Sequence, residues 1–166
     1  LARHFWLFFT LLGSLAVTIC LGLFGLIFSL ELCVLIVVSV ILVTLLGCLV
    51  KFFFFVPRPD NISGSRRQLG FSLFNPLNVL KWSNIIILYR YVDASSFPSV
   101  HAARAGIFPV VFGHVFGYLG LLLSLPFVAL VCYSRIARRR HREWDILAGL
   151  VLGLLVSALI VTISGF

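Results

Sequence analysis

Charge is what this chain has least of. Only 11% of its 166 residues are Asp, Glu, Lys or Arg, and five of those are acidic, against 61% hydrophobic residues and a mean hydropathy of +1.17. No soluble domain can hide that much apolar surface, so the composition excludes one and leaves an all-α, polytopic membrane bundle. Cysteines are few: Cys20, Cys33, Cys48 and Cys132 form no CxxC pair and no Cys/His metal spacing. They read as small groups inside apolar runs. No internal repeat is visible and the length suits a single domain, 1–166. The chain starts Leu1-Ala2 with no Met ahead of it, as expected if a few leading residues are missing. Its first apolar run lacks a cleavage-site pattern and is too long for a signal peptide, so it is expected to be retained as a span.

What charge there is lies unevenly. The net charge of +8 would suggest nucleic acid in a soluble protein. Here the basic residues border apolar runs, so anionic lipid heads in the bilayer are the expected partners and nucleic acid is not.

Phe5 to Val56, 52 residues, is apolar apart from Glu31 near its middle and Lys51 near its end. At about 1.5 Å per residue that is too long for one crossing and fits two, over about 5–30 and 32–56. The reversal is expected at Glu31, with Gly22–Gly25 as the other candidate. From Pro57 to Phe74 the composition turns to Pro, Asp, Asn, Ser, Gly and Arg, an aqueous loop in which Asn61-Ile62-Ser63 matches a glycosylation acceptor. Pro76 to Tyr91 is too polar to cross and too apolar to float free, and reads as an interfacial helix able to shape a lateral entrance for a lipid. Further spans are expected over 101–116, 118–133 and 146–166, five crossings in all, with Pro109 and Pro126 kinking theirs.

Three motifs then emerge on one membrane face. Lys51 ends the second span, and Arg58-Pro59 follows after six residues; two cations from a helix end and a stiff loop can hold an anion, or simply snorkel. Ser95-Ser96-Phe97-Pro98-Ser99-Val100-His101 opens the third span, where Ser99 and exposed amides make an anion cradle and His101 can donate a proton; the plainer reading is a capped helix. The third motif is Ser134 to Asp145. If the last helix begins near Arg140, His141 and Asp145 share one face, and the carboxylate can hold the imidazole as base or nucleophile. Arg135 offers fixed donors suited to phosphate oxygens, though the whole island also fits a positive-inside cluster.

Taken together, Lys51…Arg58-Pro59, Pro98-Ser99-Val100-His101 and Ser134-Arg135…His141…Asp145 resemble the type 2 phosphatidic acid phosphatase (PAP2) superfamily of integral membrane lipid phosphatases. The family pattern is Lys-x6-Arg-Pro, Pro-Ser-Gly-His and Ser-Arg-x5-His-x3-Asp, and the likeness runs from Lys51 to the end. It implies that His141 attacks phosphorus to form a phosphohistidine, that Asp145 orients its ring, and that His101 protonates the leaving oxygen and then activates water. Lys51, Arg58, Ser99, Arg135 and the amides near Val100 would bind the phosphate, with no metal and no cofactor. Two departures stand out. Val100 replaces the usual Gly, so a left-handed backbone there would be strained, and against the six spans of many members one fewer is expected here, ahead of the first motif.

The implied activity is hydrolysis of a phosphate monoester or pyrophosphate on a lipid. By analogy with other small members, isoprenoid phosphates or pyrophosphates come ahead of phosphatidate or phosphatidylglycerophosphate. A module that binds anionic lipid without turnover is the reading from another class. Arg104, three residues after His101, either snorkels or supports the site through substrate, Asp93 or Asp60. Glu143 and Arg138 to Arg142 read as interfacial, Trp6, Trp82 and Trp144 as an aromatic belt, and His4 and His114 as bystanders. With Lys51, Arg58 and Arg135 set aside, ten Lys and Arg lie on the motif side and none at the opposite turns, which points the site to the cytosol. The family resemblance points it outward or to a lumen.

Overall fold

The structure is a computed structural model and describes residues 2–59 and 92–165, with no account of the side chains of residues 2–4. The loop with Asp60, Asn61, Ser65, Trp82 and the expected interfacial helix lies outside the described residues. What is described is helical: α1 (Ala2–Leu12), α2 (Leu15–Phe24), a 3₁₀ turn (Gly25–Ile27), α3 (Leu30–Phe53), α4 (Val100–Ala105), α5 (Ile107–Ala137) and α6 (Glu143–Ser164). Leu30–Phe53, Val100–Ala137 and Glu143–Ser164 are long and apolar enough to cross a bilayer, and α1 with α2 adds a fourth if that bent pair is one span.

The first expected crossing, over about 5–30, is bent by 60° between Phe5–Leu12 and Leu15–Ile27. Ser14 restarts the helix by accepting from the amide of Val17 at 3.4 Å, while Gly13 packs between His101 and Val131. The reversal falls at Gly25–Ser29, between the two positions expected for it, Gly22–Gly25 and Glu31. Ser29 caps α3 by accepting from the amide of Leu32 at 3.0 Å, which puts Glu31 in the first turn of the helix, where an acidic side chain suits the positive helix end.

Val100–Ala137 holds 38 residues, far more than one crossing needs. It folds back at Gly117, whose φ of 63° and ψ of −152° are accessible to glycine almost alone. Past that point Gly120 meets the carbonyl of Phe112, and the rings of Phe108 and Phe127 lie 4.9 Å apart. The helix from Val100 breaks at Gly106, three residues before Pro109, and a new one starts at Ile107. Pro109 sits in the first turn of α5, where no amide proton is needed, and helical dihedrals continue through Pro126. At the hairpin tip His114 Nε2 lies 3.1 Å from Glu31 Oε1, tying the far end together.

The core runs along α3, where Leu32, Leu35, Ile36, Val40 and Val43 face Ala103, Ile107, Phe108 and Val111 at helical spacing. Opposite faces stay apolar and exposed, as at Leu45 and Leu155, which fits contact with lipid tails. Between α2, α3 and α5 runs an apolar crevice of about 450 Å³, with Phe24, Phe28, Phe108, Phe112, Phe116 and Phe127 in its walls.

One contact decides where the motifs meet. α6 carries Gly149, Gly153 and Ser157 on one stripe, and the two glycines touch the backbone carbonyls of Ser99 and Ala103 on the α4 side. Any side chain at either glycine would collide with those carbonyls. Small residues at this spacing let two helices approach to backbone contact, and so bring the second motif against the third.

Candidate active site

The first two motifs are pinned by backbone and serine hydrogen bonds. The amide of Ser96 donates to the carbonyl of Val56 at 2.7 Å, Ser95 Oγ accepts from the amide of Val56 at 3.3 Å, and Pro57 and Ser95 form an antiparallel bridge. Ser95 and Ser96 are fully buried. Lys51 is buried at the end of α3, and its Nζ donates to the carbonyl of Ser95 at 2.8 Å. Arg58 is held by Asp93, Nη2 to Oδ1 at 3.0 Å. The third motif joins through the amide of Ser99, which donates to the carbonyl of Asp145 at 2.8 Å.

His141 does not lie on a helix. α5 ends in a turn through Arg139, held in the left-handed region at φ 52°, and α6 begins only at Glu143, so the shared helical face expected for His141 and Asp145 does not form. His141 Nδ1 lies instead 2.8 Å from the carbonyl of Ser96. Asp145 Oδ2 is 3.9 Å from that nitrogen and accepts from the amide of Arg142 at 2.8 Å, capping α6. A carbonyl can only accept, so Nδ1 carries the ring proton, and Nε2 of the neutral ring keeps its lone pair. Arg135 Nη2 donates to that nitrogen at 3.3 Å. Burial, with Arg135, Lys51 and Arg58 nearby, pushes the His141 pKa well below the ordinary 6.5 and keeps the ring neutral.

Lys51, Arg58, Val100, His101, Arg104 and His141 line one cavity of about 370 Å³, with Asp93, Thr44 and Ser14 also in its wall. The two imidazoles therefore face the same space. Arg135, at its edge, reaches it through His141, and Ser99 is buried at the start of α4. Arg58 Nε, Ser99 Oγ and Arg135 Nε are buried with no partner among the described residues. At about 1–3 kcal/mol per unsatisfied buried group, such a cluster is tolerable where a ligand's oxygens can answer it. The cationic lining repels a metal ion and attracts an anion.

A sequence model described as the PAP2 superfamily matches residues 28–166. The chain belongs to the PAP2 superfamily. Comparison with curated proteins and with solved structures gives no match. PAP2 members are phosphatases, so membership supports a phosphoric ester hydrolase acting on lipid phosphates.

Against the PAP2 pattern, Val100 causes no backbone strain. It begins α4 outside the left-handed region, and its side chain packs on Gly47 of α3. Of the two carboxylates expected for Arg104, Asp93 holds Arg58 instead, and Asp60 is outside the described residues. Arg104 Nε donates to Thr44 Oγ1 at 3.0 Å and its Nη1 to the carbonyl of Gly13 at 3.4 Å. Sequence reasoning missed Ser95, Ser96 and Thr44 as supports of the site. The paired serines ahead of Phe97-Pro98 were the one signal for the first two.

Proposed function

We propose that this chain is a metal-independent lipid phosphatase that works through a phosphohistidine on His141. The observation that carries the reading is the single cavity faced by His101 and His141 and lined by Lys51, Arg58 and Arg104. Neutral His141 attacks phosphorus through Nε2 while Ser96 and Asp145 steady the ring. The phosphoryl oxygens draw in Arg135, Lys51, Arg58 and the donors of Ser99 and the Val100 amide, which stabilise the charge that builds in the transition state. His101 gives its proton to the departing oxygen, then takes one from the water that cleaves the phosphohistidine. Protein cations supply the positive charge that a metal supplies elsewhere.

A lipid substrate fits a site in a bundle of helices long and apolar enough to cross a bilayer, which also holds an apolar crevice. Within lipid phosphates, isoprenoid phosphates and pyrophosphates are preferred over phosphatidate and phosphatidylglycerophosphate, by analogy within the family. The site faces the cytosol, on the count of Lys and Arg outside the motifs.

The test is phosphate release from a panel of these lipids with chelator present, using the parent, His141→Ala and His101→Ala. Turnover without metal is expected, abolished in the first variant and lowered about 10²-fold or more in the second. Retained turnover in His141→Ala removes the nucleophile. Lipid binding with no turnover in the parent leaves a binding module instead.

A further inference from the structure

Arg104 is not used by the phosphohistidine chemistry, yet it is 7% exposed, lies within a membrane span and lines the same cavity. A cation at that depth is costly unless something answers its charge. Its two hydrogen bonds go to neutral oxygens, Thr44 Oγ1 and the Gly13 carbonyl, and no ion pair reaches it among the described residues. Thr44 in turn donates to the carbonyl of Val40 at 2.6 Å, so the guanidinium is held from behind. A guanidinium has five N–H donors, and three of these have no partner among the described residues. The bond to Gly13 caps the broken end of α1, but a neutral amide could do that without bringing a charge into the bilayer.

Position gives the charge a purpose. Arg104 follows His101 by one turn on the same face of α4, on the side away from the helix start and its anion cradle. On α3 its partner Thr44 is seven residues before Lys51, a rise of about 10 Å along the helix axis. The cations thus sit at two depths: Lys51, Arg58 and Arg135 around His141, and Arg104 beyond His101. Between the two levels lies the imidazole that would serve the leaving oxygen.

We propose that Arg104 binds a second anionic group on the leaving side of the scissile bond, which makes this a lipid diphosphate site. The inference rests on the phosphatase reading above and narrows it. His141 Nε2 bonds to the terminal phosphorus, the bond from that phosphorus to the bridging oxygen breaks, and its electron pair stays on the bridging oxygen. The departing lipid monophosphate takes a proton from His101, and its charge is held by Arg104. Water then cleaves the phosphohistidine to release inorganic phosphate. With a lipid monophosphate the leaving group is a neutral alcohol, and Arg104 meets no charge.

The experiment compares kcat/KM for farnesyl diphosphate and farnesyl monophosphate in detergent micelles, with the parent, Arg104→Gln and Arg104→Lys. The parent is expected to prefer the diphosphate, Arg104→Gln to lose at least tenfold more on the diphosphate than on the monophosphate, and Arg104→Lys to recover part of that difference. An equal loss on both substrates, or an unchanged ratio, overturns the assignment and leaves Arg104 a structural cap. Should Arg104→Gln yield no folded protein, competition in the parent decides: inorganic diphosphate is expected to inhibit at a concentration at least tenfold below inorganic phosphate, and equal inhibition overturns the proposal. A parent that hydrolyses neither lipid sinks the phosphatase reading itself, whereas a parent active on both with an indifferent Arg104 sinks this inference alone.

Discussion

His141 owes its state to its neighbours. Burial and three cations disfavour the imidazolium, so the ring is expected to stay neutral from pH 8 down to pH 5, and ring NMR shifts that titrate near 6.5 would contradict this. The sign for stability follows. Because the folded pKa lies below the unfolded one, the unfolded chain takes up the proton first, and stability falls as pH drops below about 6.5, by up to ~1.4 kcal/mol per unit from this one group. Replacing His141 by Gln is expected to flatten the fall of Tm between pH 7 and pH 5 in detergent. Asp145 is a nearby charge at 3.9 Å that also caps α6. Asp145→Asn keeps an acceptor for the Arg142 amide and should lower kcat by about 10- to 100-fold, short of the roughly 10⁴-fold loss seen where a carboxylate fixes the tautomer by itself. Asp145→Ala should also lower Tm, since a lost helix cap costs ~1 kcal/mol. Here the sequence showed both residues but not their relation, because the carbonyl of Ser96, 45 positions away, holds the ring.

At the scale of the element, the packing of α6 on α4 sets the site. Gly153 touches the carbonyl of Ala103, so Gly153→Leu must push the helices apart, at a cost of about 1–3 kcal/mol or more, and draw Asp145 away from Ser99. Phosphatase activity is expected to vanish and Tm to fall, while Leu159→Ala, on a face that is 59% exposed, should leave activity within about twofold. Equal tolerance of both changes would mean that the glycine stripe does not position the motifs. Sequence reasoning passed over the run Gly149-x3-Gly153-x3-Ser157, and no local pattern names the helix it meets.

For the molecule as a whole, the motif face, the helix ends and the charge distribution agree. Lys51, Arg58, Arg135 and His141 gather at one end, and Glu31 meets His114 at the other. With the cytosolic orientation proposed above, Ser65→Cys, in the loop between the first two motifs, should resist an impermeant thiol reagent in intact cells and react once they are opened. Labelling before opening would place the site on the outer face. The four native cysteines lie within helices that are largely apolar, which keeps the background low.

By itself the sequence determined the class and the family, and it singled out the side chains proposed to act. Apolar length, the shortage of charge and the motif spacing are local properties, written residue by residue. Only the tertiary structure decided that α1 breaks at Gly13–Ser14, that His141, outside any helix, donates its hydrogen bond to the carbonyl of Ser96, and that Arg104 lines the cavity with neutral partners. Each of these depends on contacts between residues dozens of positions apart, and the periodicity of a single helix carries no record of which surface will lie against it.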